Sequence, residues 1–533
     1  MENIENLKDN SVHLETVSQD EVAKFADSNA QLGAQLMEDE RQLGVWANVK
    51  LHKRVLLFCS ISFTAGMLFG YDTIVNGASI SMPSFLLYFG EIGPTGPYLP
   101  SKWTSLWTAM SSLVQAIGAF AAGYITDRLG RKWPASGAGA VTLIGTAVQY
   151  IAHSRGALLG GKMVTGFGVG SSLAIATSYA SEIAPLRLRA PVQAALVMFT
   201  VFMQGLALGI IRIFVPSIQE IAFRHVFAIQ WAVGGLATLA FALAPESPVF
   251  LINRNRLGDA RKAMAKIYGS NNSIDARLAY LIKTIREEQS QMILESGSYM
   301  ECFKGKDLKR TLTVILLYIS ANVGGAAFLS QNIYFLLTAG LPAIHSFDIG
   351  IGGFGLAILI IIASNMFMKH INRRKAFLVG CILNIIFMLV ISALYYAPGT
   401  GPLWAIAVLM NILISLQTSL LQGIGWPIAA ELSSYRLRAK TLSIAVIAQT
   451  FTTWLTVFVV PYMYNVDAGN LGARTGFIFM GLAVFLLVGA WYLVPDTSSL
   501  TTEEIDLLYE DKVSPRHFQR HVKSSSPASG YAA

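Results

Sequence analysis

The feature that most constrains this chain is its division into apolar blocks of roughly 20 residues, each long enough to cross ~30 Å of hydrocarbon as an α-helix. Such blocks run at about 54–76, 104–125, 134–153, 157–180, 192–215, 225–244, 311–338, 348–369, 377–396, 403–429, 441–464 and 474–494, which predicts twelve spans. Composition agrees, since only 14% of the 533 residues are charged, against roughly 25% in a soluble globular protein. A soluble enzyme is excluded, and the expected class is an all-α membrane protein.

Charge placement sets the orientation. About 34 of the 40 Lys and Arg fall on the side that holds both termini, whereas Lys102, Arg155, Arg224 and Arg474 fall on the other, and Lys162 and Arg212 lie inside spans. That bias predicts cytoplasmic termini and accounts for a net charge of +8 without nucleic acid. The implied layout is a cytoplasmic N-terminal tail at 1–52, six spans at 53–244, a helical linker at 245–310, six spans at 311–494 and a cytoplasmic tail at 495–533. The polar head has no apolar core, so it is expected to be mobile and the first span to act as its own targeting signal. In the linker, Ala260, Met264 and Ile267 share one helical face. The sequon Asn271-Asn272-Ser273 falls in this cytoplasmic stretch and is discounted, a short helix is expected over Thr501–Glu510, and the Ser-rich end has the composition of disorder. Cys59, Cys302 and Cys381 are too few for a disulfide framework and have no ligand partners nearby, so no metal site is expected.

The two halves repeat each other. Glu182, Arg187 and Arg189 follow the fourth block, and Glu431, Arg436 and Arg438 follow the tenth, all at one offset of 249 residues. Asp127-Arg128-Leu129-Gly130-Arg131-Lys132 is echoed by Asn372-Arg373-Arg374-Lys375, and Pro245-Glu246-Ser247-Pro248 by Pro495-Asp496-Thr497-Ser498. Duplication of a six-helix unit explains the register. Carboxylates and guanidinium groups at these helix ends can pair and part, so Asp127, Arg128, Arg131, Glu182, Arg187, Arg189, Glu246, Arg373, Arg374, Glu431, Arg436 and Arg438 are candidate cytoplasmic gate residues. Taken singly, such basic residues read equally well as topology markers.

These motifs, with Phe69-Gly70-Tyr71-Asp72-Thr73 and Trp426, resemble the sugar porter family of the major facilitator superfamily over about residues 50–510. Pro461-Tyr462-Met463 and Gly472-Ala473-Arg474-Thr475-Gly476-Phe477 are similar to its fungal branch, which includes α-glucoside permeases. The resemblance implies the major facilitator fold, two pseudo-symmetric six-helix bundles with a midplane substrate site and alternating access. It also implies a monomer in the plasma membrane that moves a hexose or α-glucoside, with the proton gradient as driving force and no cofactor.

Asp72 lies within span one, where an ionised carboxylate costs at least ~2.5 kcal/mol unless paired, neutral or wet. Lys162 stands where the family usually has arginine, and by resemblance it faces this aspartate. The pair is a candidate proton-coupling site or a static structural pair. Arg212, at the outer end of span five, is expected either to snorkel or to attract an anionic group.

A sugar needs amides for its hydroxyls and aromatic rings for its flat faces. By resemblance Gln204 is the substrate glutamine and Trp426 the stacking tryptophan. Gln331, Asn332, Asn322, Gln449 and Trp454 sit at suitable depth, where the competing role is hydrogen bonding between helices. Span seven departs from the family, with Ser320 and Ala321 at its paired glutamines, Ala326 at its asparagine, and Ser330 and Gln331 at its paired tyrosines. Either Gln331 and Asn332 rebuild the site or the cargo is not a simple hexose, which leaves a carrier or exporter of another polyhydroxylated or secondary metabolite as the alternative. A non-transporting sensor would need a longer cytoplasmic tail, and no catalytic constellation appears.

Overall fold

The structure, a computed structural model, describes residues 19–93, 96–269, 274–294, 298–367, 372–433, 437–498, 500, 502–511 and 513–518. The sequon, Arg436 and the Ser-rich end lie outside them.

Among the described residues, eleven helices are long and apolar enough to cross a membrane: Lys53–Ser81, Ser101–Leu129, Arg155–Ile183, Leu186–Phe214, Glu220–Leu243, Asp307–Ser330, Ala343–Ile360, Arg373–Leu394, Gly401–Leu432, Arg438–Tyr464 and Gly472–Leu493. They are spans one, two and four to twelve. The third expected span is also a helix, Lys132–Ile151, although it is not one of those eleven. A two-stranded antiparallel hairpin, Glu91–Gly93 with Gly96–Tyr98, lies between spans one and two, with Glu91 opposite Tyr98. No strand was expected there.

Glycine lets the helices approach closely, which is how packing replaces the absent hydrophobic driving force in lipid. A Cβ on Gly170 of span four would lie 2.0 Å from the Gln115 carbonyl oxygen of span two, and one on Gly145 of span three would lie 2.3 Å from Thr165 Oγ1. Between spans two and three, Gly130 adopts φ +88° and the Glu246 carboxylate fills the space a side chain would take.

Two spans are interrupted. Span seven runs as Gly305–Val323, turns at Gly324 and Gly325 (φ +95°), and continues as Ala326–Ser330 and Asn332–Thr338. In span ten a π turn over Gln417–Gln422 separates Gly401–Leu416 from Gly423–Leu432.

The polar head is not wholly mobile as expected: a helix spans Gln19–Gln42 and lies against linker helix Ile274–Leu294. Gly33 meets the Ala276 carbonyl, and buried Glu40 accepts hydrogen bonds from Arg277. His52 Nε2 lies 3.2 Å from Glu40, and Asn48 Nδ2 donates to the Glu40 carbonyl at 2.8 Å. Burial alone would raise the Glu40 carboxyl, but His52 and Arg277 bring it down to about 2. Ala260, Met264 and Ile267 do share the buried face of helix Leu257–Tyr268, and the C-terminal helix spans Thr502–Glu510.

Contacts divide the chain into two units. One comprises Met1–Val75, Ser111–Ala207 and Arg224–Glu295, and the other Asn76–Met110, Leu208–Phe223 and Ser296–Ala533. The ends of spans one, two, five and six farther from the termini therefore group with the second half of the sequence.

Candidate functional site

In the first unit, span one places Asp72 among spans two, four and six, with 1% of its surface exposed. Both carboxylate oxygens are engaged: Gln115 Nε2 donates to Oδ2 at 2.9 Å and Gln230 Nε2 donates to Oδ1 at 2.9 Å. Lys162 is fully buried within the electrostatic reach of Asp72, its ammonium 5.8 Å from the Phe227 ring centroid. The expected acid and base thus share one dry site, and two amides that sequence reasoning passed over hold the acid. The Oε1 of Gln230 is buried with no hydrogen-bond partner among the described residues. An amide offers a donor and an acceptor of nearly the same shape. Half a turn of the Gln230 amide would therefore present an acceptor to a protonated Asp72, so one side chain can serve both protonation states.

At the membrane end that carries the termini, Arg131 pairs with Glu182 at 2.9 Å and donates to the Thr126 carbonyl at 3.1 Å. Asp127 lies 3.8 Å from Arg131, and Glu246 accepts from the backbone N–H groups of Arg131 and Ser247 at 2.7 and 2.9 Å. Arg254 donates to the Asp127 and Arg128 carbonyls. In the second unit, Arg373 pairs with Glu431, and Arg374 donates to the Trp491 carbonyl at 2.9 Å. Each acid of the repeat is thus met by the arginine that starts the helix one span before its own. Arg187, Arg189 and Arg438 form no ion pair among the described residues.

The substrate candidates divide. Asn322 of span seven donates to Thr453 Oγ1 at 2.7 Å and to the Gln449 carbonyl at 3.3 Å, joining spans seven and eleven. Trp426 of span ten stacks on Tyr318, one turn before Asn322, with ring centroids 6.1 Å apart. Trp454 leads a ladder of rings with Phe451 and Phe458, and its indole N–H is buried without a partner among the described residues. Asn322 and Tyr318, one turn apart on span seven, bring Gln449 and Trp426 to the same helix. Gln331 and Asn332 are instead committed to helix packing: Tyr464 donates to Gln331 Oε1 at 2.6 Å, and Asn332 Nδ2 lies 3.5 Å from Asn411 Oδ1. Gln204 is half-buried in the first unit. Sequence reasoning also passed over Asn384 and Gln417, which both donate to the Gly324 carbonyl and satisfy the break in span seven.

Arg212 does not reach out alone as expected, because its guanidinium donates to Asp348 of span eight at 2.7 Å. Nearby in the same unit, Asp467 accepts from Ser101 N at 2.7 Å and from its hydroxyl at 2.5 Å, capping span two. Tyr334 receives the Leu99 N–H at 3.0 Å, and Asn465 donates to the Leu99 carbonyl at 2.6 Å.

The family described as "Sugar (and other) transporter" matches residues 58–509. The chain is 40% identical over 517 residues to the MFS transporter fmqE of Aspergillus fumigatus, covering 95% of this chain and 97% of that one. It is 24% identical over 499 residues to the general alpha-glucoside permease of Saccharomyces cerevisiae, covering 91% and 80%. The fold is similar to that of the xylose transporter XylE of E. coli in its inward-open conformation (TM-score 0.67, 20% identity, 85% and 99% covered). It is likewise similar to a D-xylose-proton symporter (TM-score 0.64, 19% identity, 83% and 98% covered). The architecture is the major facilitator fold.

Proposed function

Because this multi-pass membrane protein belongs to the sugar (and other) transporter family, a family of carriers rather than enzymes, we propose that it is a proton-coupled importer of a sugar of the α-glucoside class. The observation that carries the coupling is the buried Asp72 carboxylate beside Lys162, held by Gln115 and Gln230. A group so desolvated exchanges its proton only when the surrounding helices rearrange, which ties protonation to alternating access. Lys162 supplies a compensating charge that keeps the site near neutrality when the proton leaves. The names of the alpha-glucoside permease and the xylose-proton symporter support the cargo class and the driving ion. For the sugar, Trp426 and Tyr318 of the second unit offer stacking faces, while Asn322 and Gln449 offer amides. Cytoplasmic termini, a plasma-membrane location, a monomeric state and a driving force drawn from the proton gradient without a cofactor complete this reading. The arginine–carboxylate pairs Arg131–Glu182 and Arg373–Glu431 serve as cytoplasmic latches that part during transport.

A second reading, a carrier of an aromatic or otherwise polyhydroxylated metabolite, draws on span seven. Ser320, Ala321 and Ala326 remove donors that a hexose needs, and span eleven carries a ring ladder with one unspent indole N–H.

The deciding experiment is uptake of labelled maltose and glucose in a yeast strain lacking its own sugar carriers. Maltose uptake that is abolished by a protonophore and by Asp72→Asn is the expected result. Absence of uptake of both sugars, in protein shown to reach the cell surface, overturns the sugar reading in favour of the second.

A further inference from the structure

A cleft of about 390 Å³ opens between the start of span three and linker helix Leu257–Tyr268, away from the Asp72 site. Its volume suits a small-molecule headgroup. The helix is two-faced. Leu257, Ala260, Met264 and Ile267 are buried against the other linker segments, which turns Asp259, Lys262 and Lys266 toward the cleft.

The charge balance at the cleft favours an anion. Lys132, Arg256, Lys262 and Lys266 line it against two carboxylates. Asp259 is shared by Arg256 at 2.5 Å and Lys262 at 3.8 Å, so one acid faces two cations. Glu246 is occupied by the backbone N–H groups of Arg131, Lys132 and Ser247. Lys266 has no carboxylate partner among the described residues, and the Lys132 ammonium rests 5.2 Å from the Trp133 ring centroid rather than on an acid.

The other wall of the cleft is apolar and exposed. Leu129, the last residue of span two, and Trp133, at the start of span three, are 64% and 65% exposed. Tryptophan at a helix end marks the headgroup level of a bilayer. Cations above an exposed indole at that depth match a molecule with a phosphate head and acyl tails.

We propose that this cleft binds the phosphorylated headgroup of an anionic phospholipid. With the orientation proposed above it opens to the cytoplasmic leaflet, where such lipids concentrate. The acyl chains lie along Leu129 and Trp133, and the phosphate is held by Lys132, Lys262 and Lys266.

The test titrates purified full-length protein in detergent with short-chain phosphatidylinositol 4-phosphate, short-chain phosphatidylcholine and soluble inositol 1,4-bisphosphate, following the thermal unfolding midpoint. The phosphorylated lipid is expected to raise the midpoint in a saturable way and phosphatidylcholine to leave it unmoved. The exposed pair Lys262→Glu with Lys266→Glu is expected to raise the half-saturating concentration about tenfold or more, at ~1 kcal/mol per lysine. Lys262→Gln with Lys266→Gln gives a smaller rise from a milder change, should charge reversal disturb folding. An equal response to phosphatidylcholine, or unchanged affinity in both variants, overturns the proposal. A response to inositol 1,4-bisphosphate as strong as that to the lipid overturns the lipid assignment and marks a soluble phosphate as the ligand.

Discussion

At the scale of single residues, the Asp72 site turns on hydrogen bonds as much as on charge. Gln230→Leu keeps much of the volume but leaves Oδ1 of a buried carboxylate without its donor, and a hydrogen bond to a charged group contributes ~1.5–3 kcal/mol. Proton-dependent uptake per surface-expressed molecule is expected to fall roughly tenfold to a hundredfold, the ratio such an energy corresponds to. A Gln230→Leu protein that transports at the wild-type rate would remove the amide from the coupling site. Asp72 and Lys162 were legible in the sequence because a charge inside an apolar block needs an explanation. Their amide partners were not, although they obey the same rule more weakly. Glutamine is cheaper to bury, and its pairing with Asp72 across 43 and 158 residues exists only once the helices have assembled. Arg212 shows the same limit, since a lone arginine in a sequence does not announce an aspartate 136 residues away.

At the scale of elements, hydropathy located all twelve spans as helices, eleven of them long and apolar enough to cross a membrane and the third a helix over Lys132–Ile151. The breaks in spans seven and ten were harder to place, because glycine permits a turn without saying which carbonyls will be orphaned. In span seven Asn384 and Gln417 mark the orphaned group, since both donate to the Gly324 carbonyl. The N-terminal helix was hidden for another reason: its polar composition is that of a free tail, and its stability comes from a partner in the linker. That docking rests on a buried ion pair. Arg277→Met leaves the buried Glu40 facing His52 alone, and removing one partner of a buried ion pair costs ~3–5 kcal/mol. Hydrogen exchange at neutral pH over residues 29–42 is expected to accelerate at least about a hundredfold, and Glu40→Gln in the same chain to recover much of the protection. Unchanged exchange in Arg277→Met would show that the helix docks by its apolar contacts alone. Because docking depresses the Glu40 carboxyl to about 2, its contribution is complete above the ordinary carboxylate pKa of about 4.3 and fades as pH falls from there toward 2. Neutral pH leaves it intact.

At the scale of the whole molecule, duplication was readable from charges in register, while the grouping of the outer segments 76–110 and 208–223 with the second half was not. Those segments are held by Asp467 on Ser101, Asn465 and Tyr334 on Leu99, and Asp348 on Arg212. Asp467→Ala removes a charged helix cap, a loss of ~0.5–2 kcal/mol, enough to shift an open fraction severalfold. A cysteine placed by Tyr98→Cys is expected to react correspondingly faster with an impermeant maleimide in Asp467→Ala than in the parent, against a background in which Cys59, Cys302 and Cys381 are all buried. Equal rates would show that this cap does not hold the outer segments shut. The close helix approaches at Gly145 and Gly170 matter to a geneticist as well. Even one added methyl group there collides with a neighbouring helix, so a screen for lost uptake will return these glycines beside the true cargo residues. Abundance at the cell surface, scored alongside uptake, separates the lesions of assembly from the lesions of transport.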